Sequence, residues 1–308
     1  MKRIFGVPVT FLAAGDVFRT GLQHASEAID AEYESCLCDD PSLESKIRAF
    51  APDLIIVIHG RTYAKKWGQR FKDYKQALWL TDDPYEVDDC EEYSRHFDYV
   101  FTNDKSTVHR HRNCTYLPTC YDPIIHNDPG RERIYRCGFV GGHNRVRNDL
   151  LQTLDDAKLI DYLVGGPWRS MLHLYKAPNV PPSQTADWYQ QTKVVPNIWR
   201  EEHHANFKER IQGYSMNPRV YEALACGAMV ISEYRPEVEE IFPDMPTFRV
   251  TDSRGDARKA ELDAMCVQVD RLIHDDALRL DLLAKCQARL TGHTYTDRLK
   301  TIIDVCFA

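Results

Sequence analysis

Residues 53–60 read DLIIVIHG: an aspartate, five apolar residues in a row, then His59 and Gly60. A strand with one wet face would alternate apolar and polar side chains. This one is apolar on both faces, which is the mark of a central strand in a parallel sheet covered on both sides by helices. Working back from it, residues 42–50 form a helical pattern, with Ser42 as N-cap, Ser45 at the box position and Pro52 beyond the end. Residues 33–37 fit a short strand. Phe18, Leu22, Ala25 and Ile29 recur at helical spacing over 18–31, and residues 4–13 read as the first strand. The opening MKRIFGVPVTFLAAGDVF is basic and then apolar, like a leader. Its apolar run is short, broken by Pro8 and closed by Gly15-Asp16, so a buried strand is the better reading. Working forward, residues 76–80 are a strand closing in Thr81-Asp82-Asp83-Pro84. Strands at 98–102 and 115–117 flank a helix at 104–111. Strand and helix alternating at this spacing predict a doubly wound α/β domain.

Residues 122–133 are polar, carry Pro123, Pro129 and Gly130, and read as a linker. A second alternating series follows. Residues 135–140 are a strand running into Gly141-Gly142; strands are also predicted at 161–164, 194–198, 229–232 and 247–250. Helices are predicted at 148–157, 183–192, 219–226, 237–242, 257–274, 276–290 and 296–307. The expectation is an α/β protein of two Rossmann-like domains facing a central cleft, at 1–128 and 129–308, with the last helix packing back on the first domain. A chain of 308 residues that is 43% hydrophobic and 28% charged has the length and the apolar content for two cores. The formal net charge of -7 argues against a surface that clamps nucleic acid all over. Basic stretches remain at Lys65, Lys66, Arg70 and Lys72 and at residues 109–112, read as solvated helix faces or contacts to a phosphate polymer. No run of about 18 apolar residues occurs, so no membrane span is expected. Ten cysteines without paired CxxC spacings support neither zinc nor a disulfide framework; Cys36 and Cys38 read as two half-buried thiols. Ten thiols fit a reducing cytoplasm.

Residues 215–231, SMNPRVYEALACGAMVI, carry the strongest chemical signal. A helix begins after Asn217-Pro218 and ends at Gly227, and Arg219 and Glu222 share one face near its N-terminus. That end favours an anion, and Arg219 adds a bidentate phosphate donor. Glu222 can accept two hydroxyls, as a ribose presents. The competing reading is an ion pair on an ordinary helix surface.

Residues 219–232, RVYEALACGAMVIS, resemble the donor-binding helix of GT-B glycosyltransferases, in the group 1 branch that contains the CgeB-like spore-maturation proteins. Cys137-Gly138-Phe139-Val140-Gly141-Gly142 followed by Arg147 and Leu150 is similar to the opening of that family's donor domain. Residues 188–197, WYQQTKVVPN, are similar to the segment before the donor helix. Residues 79–84, WLTDDP, resemble an acceptor-domain strand with an acidic turn, and Tyr116-Leu117-Pro118 with Asp122-Pro123 fits the interdomain crossing. The resemblance covers most of residues 50–245 in order. It implies a nucleotide-sugar co-substrate and no further cofactor, with Glu222 on the ribose, Arg219 and Arg147 on the diphosphate, the Gly141 and Gly142 amides near the phosphates, and Asn217 leading into the donor helix. A glycine pair after a parallel strand suits this physically, because backbone N–H groups then meet an anion without Cβ interference. Many retaining relatives carry a first glutamate eight positions before the second; here Tyr214 stands there. Residues 199–213, with Glu201-Glu202-His203-His204, look like an insertion ahead of the donor helix.

In the N-terminal half, Asp16 follows the first strand and reads either as a base on the acceptor hydroxyl or as a helix N-cap. Asp82 and Asp83 end a buried strand where α/β sites lie, and two adjacent carboxylates can raise one pKa into the range of a base. An Asx-turn before Pro84 is the alternative. His59 is a further candidate. The expected function is transfer of a sugar from a nucleotide-sugar donor to a hydroxyl of a polysaccharide, protein, small molecule or hydroxymethylated DNA base, without a metal and with a lean towards retention. The alternative is a non-catalytic nucleotide- or sugar-binding module.

Overall fold

The computed structural model describes residues 1–8, 14–178, 180–200, 204–251 and 255–308. Residues 9–13 of the expected first strand, and Glu201, Glu202 and His203 of the expected insertion, lie outside the described residues. Two compact units divide the chain: Met1–Asp122 with Glu202–Ser215 and Gly292–Ala308, and Pro123–Glu201 with Met216–Thr291. Neither unit is one continuous stretch. The division falls at 122/123, within the stretch read as a linker; the last helix lies in the first unit, and residues 204–215, read as part of the second domain, lie there too.

The first unit runs β1 (Arg3–Val7), α1 (Ala14–Ala28), β2 (Glu32–Ser35), α2 (Leu43–Phe50), β3 (Leu54–Ile58), α3 (Arg61–Lys66), β4 (Gln76–Leu80), α4 (Val87–Ser94), β5 (Tyr99–Thr102) and β6 (Cys114–Tyr116). Its sheet is parallel, in the order β2-β1-β3-β4-β5-β6. The uninterrupted apolar run of β3 follows from burial on both faces. Leu54, Ile56 and Ile58 pack with Ile4, Trp79 and Phe101 on one side. Ile55 and Val57 pack with Phe5, Val7, Leu78 and Leu80 on the other. Helix α1 begins at Ala14, so Asp16 sits in its first turn rather than at the N-cap. Ser42 does occupy the N-cap position of α2, but its side chain caps nothing; Asp40 accepts from the Ser42 amide (2.8 Å) and hydroxyl (2.6 Å) instead. The helix expected at 104–111 is a 3₁₀ turn over Lys105–Arg110, started by the Asp104 side chain on the Ser106 amide.

The second unit runs β7 (Tyr135–Val140), α5 (Arg145–Asp156), β8 (Tyr162–Val164), β9 (Tyr175–Ala177), α6 (Pro182–Gln190), β10 (Thr192–Asn197), α7 (Pro218–Ala225), β11 (Met229–Glu233), α8 (Pro236–Ile241), β12 (Thr247–Phe248), α9 (Asp256–His274) and α10 (Asp276–Gln287). The closing α11 (Tyr295–Phe307) belongs to the first unit. There Tyr295, Leu299, Ile302 and Cys306 join the core formed by Phe18, Leu22 and Trp79. Gly21 lets the two helices meet: a Cβ at that position would lie 2.4 Å from the Tyr295 ring.

The second sheet is also parallel, ordered β12-β11-β10-β7-β8-β9. Its strand order reverses between β7 and β10, and that of the first unit between β1 and β3. Ligands of doubly wound sheets bind outside the strand carboxyl ends at such reversals. The sequence therefore puts Gly141-Gly142 and Asn197 at one switch point and His59 at the other.

Candidate functional site

At the second unit's switch point, β7 ends in Gly141-Gly142, β10 ends in Asn197, and α7 lies beside both. The Arg219 Nε donates to the Val140 carbonyl (3.0 Å), and one terminal guanidinium nitrogen donates to Asn197 Oδ1 (2.8 Å). The same oxygen accepts from Asn217 Nδ2 (3.0 Å), and Asn197 Nδ2 donates to Ser232 Oγ on β11 (2.9 Å). Asn197 thus joins β10 and β11 to the start of α7. The sequence reading passed over it, although its place as the last residue of β10 was the available signal. Asn217 is the N-cap residue of α7 but makes no side-chain cap bond. Its Oδ1 is buried without a hydrogen-bond partner among the described residues, an acceptor that costs free energy until a ligand donor meets it.

Arg219 lies 4.6 Å above the Phe139 ring and is nearly buried, so its charge acts in a poorly solvated place. Gly141 makes room for it: a Cβ there would stand 2.6 Å from Arg219 Nη2, whereas a Cβ on Gly142 would meet nothing within 4 Å. Arg147, in the first turn of α5, donates through Nε to the Ile198 carbonyl (3.1 Å) and through Nη1 to the Gly142 carbonyl (2.9 Å). It clamps the two loops that leave β7 and β10.

Glu222 lies one turn along α7 from Arg219 and is 8% exposed. Burial pushes its carboxyl up from 4.5 to about 7, with the nearby Arg219 charge pulling the other way. The surface ion pair that competed with the binding reading is therefore absent in this form. Both groups are buried, and Arg219 donates through Nε and Nη1 to Val140 and Asn197. His126, from the stretch read as a plain linker, brings Nε2 to 3.8 Å from Glu222 Oε1.

The first unit separates the three carboxylates proposed from sequence. Asp16 is exposed and pairs with Arg19 one turn away (3.0 Å). Asp82 and Asp83 do not share a site. Asp83 is 0% exposed; its Oδ2 lies 2.8 Å from His111 Nε2, 2.8 Å from the Thr102 hydroxyl and 2.9 Å from that of Thr107. So closed a carboxylate cannot touch an acceptor, which corrects the reading of an adjacent pair that makes a base. Asp82 faces the other way, 3.5 Å from His59 Nε2, and Glu86 lies 3.2 Å from the same nitrogen. The three groups lie within 4.8 Å of one another, a set that could hold a cation, and Arg61 already supplies positive charge 2.8 Å from Glu86 Oε2. His59 holds φ = 67° and lines a cavity with Val7, Val57, Ile58, Thr62 and Tyr63 at the first unit's switch point. Positive φ in a non-glycine residue costs on the order of 1–3 kcal/mol and gathers at functional sites. Glu86 was not legible as a partner, because only the fold brings it to His59.

Two doubly wound parallel sheets, each with a switch point at its strand carboxyl ends, make a two-domain α/β protein, and comparison with known proteins gives its family. The glycosyl transferase-like family model matches residues 145–304, more than half of the chain, and the chain belongs to that family. It is a glycosyltransferase of two-domain GT-B architecture. It is similar to the spore protein CgeB of Bacillus subtilis (strain 168), 25% identical over 222 residues covering 65% of this chain and 70% of that one. In fold it resembles an α-glucosyltransferase solved with UDP and a 13-mer DNA containing an A:G mismatch, at TM-score 0.69 and 11% identity over the whole of both chains. A DNA-modifying β-glucosyltransferase solved with and without uridine diphosphoglucose gives TM-score 0.56 at 11% identity, covering 99% of this chain and 100% of that one.

Proposed function

We propose that the chain transfers a sugar from a nucleoside-diphosphate sugar held at the second unit's switch point to an acceptor hydroxyl. The observation that carries this is the buried Arg219, fixed by Val140 and Asn197 beside the Gly141-Gly142 turn, with Glu222 one turn away and an orphaned Asn217 Oδ1 next to it. A diphosphate would meet Arg219 and the loop amides, and a ribose would meet Glu222. As the glycosidic bond breaks, charge collects on the diphosphate, and a guanidinium already oriented in a poorly solvated place stabilises that charge without reorganising. Arg147 holds the loops that frame it. The solved α-glucosyltransferase binds UDP and the β-glucosyltransferase takes uridine diphosphoglucose, which makes a uridine nucleotide the first to try.

On the acceptor side, Asp82 is the carboxylate of the proposed three that combines access with activating neighbours, His59 and Glu86. Asp83 is closed off and Asp16 is paired at the surface. With Arg219 supplying positive charge at the nucleotide site, we expect no metal requirement. A hydroxymethylated DNA base is a reading favoured by the two DNA-linked structures and by Lys65, Lys66, Arg70 and Lys72. Polysaccharide, protein and small-molecule acceptors are the other arms of the same assay. No helix among the described residues is long and apolar enough to cross a membrane. The ten free cysteines suit a reducing, cytoplasmic compartment.

The test is calorimetry with UDP, ADP, GDP and TDP, followed by turnover of the matching nucleotide sugar over an acceptor panel that includes hydroxymethylated duplex DNA. One nucleotide should bind, and Arg219→Ala should cut turnover by about 10²-fold or more. A wild-type protein that binds none of the four would overturn the donor assignment and leave the binding-module alternative.

A further inference from the structure

From Pro123 onward the stretch read as a linker belongs to the second unit, and it is strapped to that unit's own helices. Gln190 Nε2, at the end of α6, donates to the Asn127 carbonyl (2.9 Å). Arg133 donates through Nη1 to the carbonyls of Tyr189 (3.1 Å), Gln190 and Cys226 (2.9 Å), and through Nη2 to Asp128 Oδ2 (2.6 Å). Gly227, at φ = 79°, lets the strap pass the end of α7, because a Cβ there would run into the Asp128 carboxylate and the Arg133 guanidinium.

The strap sets His126 against α7. The residue is 2% exposed, and its Nε2 stands 3.8 Å from Glu222 Oε1. That is too long for a hydrogen bond, but it is near the separation of two groups that bond one and the same oxygen. With each bond about 2.8 Å long, the two partners of a single hydroxyl lie roughly 4–5 Å apart. A hydroxyl both donates and accepts, an ionised carboxylate only accepts, and an imidazole N–H donates. A small outward turn of the ring therefore gives a hydroxyl both of its partners at this place. Arg219 lies one turn earlier on α7, beside Gly141-Gly142. A turn rises about 5.4 Å, a separation like that between a 5′-phosphate and the hydroxyls of its own sugar. With the diphosphate at Arg219, the ribose arrives at Glu222 and His126. Tyr189 of α6 lies near enough to feel the charges of both Arg219 and Glu222, so α6, α7 and the strap meet here.

We propose that His126 is a specificity-determining residue of the ribose subsite: one hydroxyl of the nucleotide's sugar sits between Glu222 Oε1 and His126 Nε2, donating to the carboxylate and accepting from the ring. This rests on the reading that α7 binds the donor. His126 and Glu222 belong to the same unit, so the bridge is complete within it. A sugar lacking that hydroxyl forfeits two hydrogen bonds in a buried place, and sites built to bond a hydroxyl reject analogues without it.

The experiment measures affinity by calorimetry. The tightest binder of UDP, ADP, GDP and TDP is compared with analogues that each lack one hydroxyl of its sugar, on wild type, His126→Phe, His126→Ala, His126→Gln and Glu222→Ala. Wild type should bind one analogue about tenfold or more weakly than the parent. His126→Phe keeps the bulk of the ring without a donor. It should weaken the parent about fivefold, the share of one neutral hydrogen bond, and leave that analogue at its wild-type affinity. His126→Ala should give the same pattern, and His126→Gln, which still donates, should fall between. A parent that binds His126→Phe or His126→Ala as it binds wild type overturns the proposal. So does an equal loss for parent and analogues, which is what a residue that only packs would produce. Wild type that binds every analogue as tightly as the parent overturns it without any variant. Glu222→Ala tells the two failures apart: if it weakens the parent, α7 still binds the donor and only the role of His126 is lost. If it binds the parent like wild type, the donor reading has failed.

Discussion

Replacing Glu222 with glutamine removes a charge that the fold holds at a cost. Moving a carboxyl from 4.5 in the unfolded chain to about 7 in the folded one corresponds to about 3 kcal/mol. The folded value is the higher, so this stability is fully present below about pH 4.5 and lost as pH rises through about 7. Glu222→Gln should therefore flatten the decline in unfolding free energy over that window. The same group should make nucleotide binding depend on pH in the opposite sense. In the proposed binding mode ribose hydroxyls donate to the ionised form, so binding draws the carboxyl towards ionisation and releases a proton. If the neutral form binds poorly, affinity rises about tenfold between about pH 6 and about pH 8 and then levels. A nucleotide sugar suits the assay, because its phosphates have no proton to lose in that range. Calorimetry in buffers of different ionisation enthalpy counts the proton directly, near half a proton per site at about pH 7. The reasoning is refuted if wild-type affinity is flat with pH, or if Glu222→Gln keeps the slope.

Gly141→Ala drives a Cβ against the Arg219 guanidinium and should weaken nucleotide binding by about tenfold, read by titration calorimetry. Asp83→Asn should lower unfolding free energy by about 1–3 kcal/mol through the buried His111 and threonine contacts, read by denaturant titration. Asp82→Asn should leave stability nearly unchanged and reduce turnover by about 10²-fold in the sugar-transfer assay. Turnover should be the same in excess EDTA as with added divalent cation; loss of activity in EDTA would move the cation to His59, Asp82 and Glu86.

The central strands were legible because a doubly covered strand has to be apolar at every position, as residues 54–58 are. Residues 135–140 were readable from their last four positions, Cys137 to Val140, which are buried and run into the Gly141-Gly142 turn. Short elements were not. Helix α3, RTYAKK, buries Tyr63 alone and shows no repeat, and three-residue β9 is below the length at which periodicity says anything. Ser42 looked like a cap because local rules favour it, and Asp40 two residues earlier took the hydrogen bonds. Arg219 and Glu222 stood out through their spacing on one helix. Asn197, His126 and Glu86 act through neighbours distant in sequence, which one chain read by itself does not report. Asp82 and Asp83 misled for a related reason: adjacency in sequence says nothing about whether two side chains face the same way.

The interleaving of the two units has a consequence during synthesis. The first unit's core needs Tyr295, Leu299 and Ile302 of α11 against Phe18 and Trp79, so a nascent chain stopped before residue 292 leaves that apolar surface bare. The second unit, complete by Thr291, can close earlier. Residues 204–215 find Asp88, Asp104 and Tyr116 already made, but within a unit whose core still lacks α11. Such a chain exposes the face of a half-built sheet for as long as the final helix takes to appear, the circumstance in which chaperones bind and truncated products aggregate. Removal of α11 should therefore cost far more than one helix's share of stability, even though every residue of the donor site would still be present.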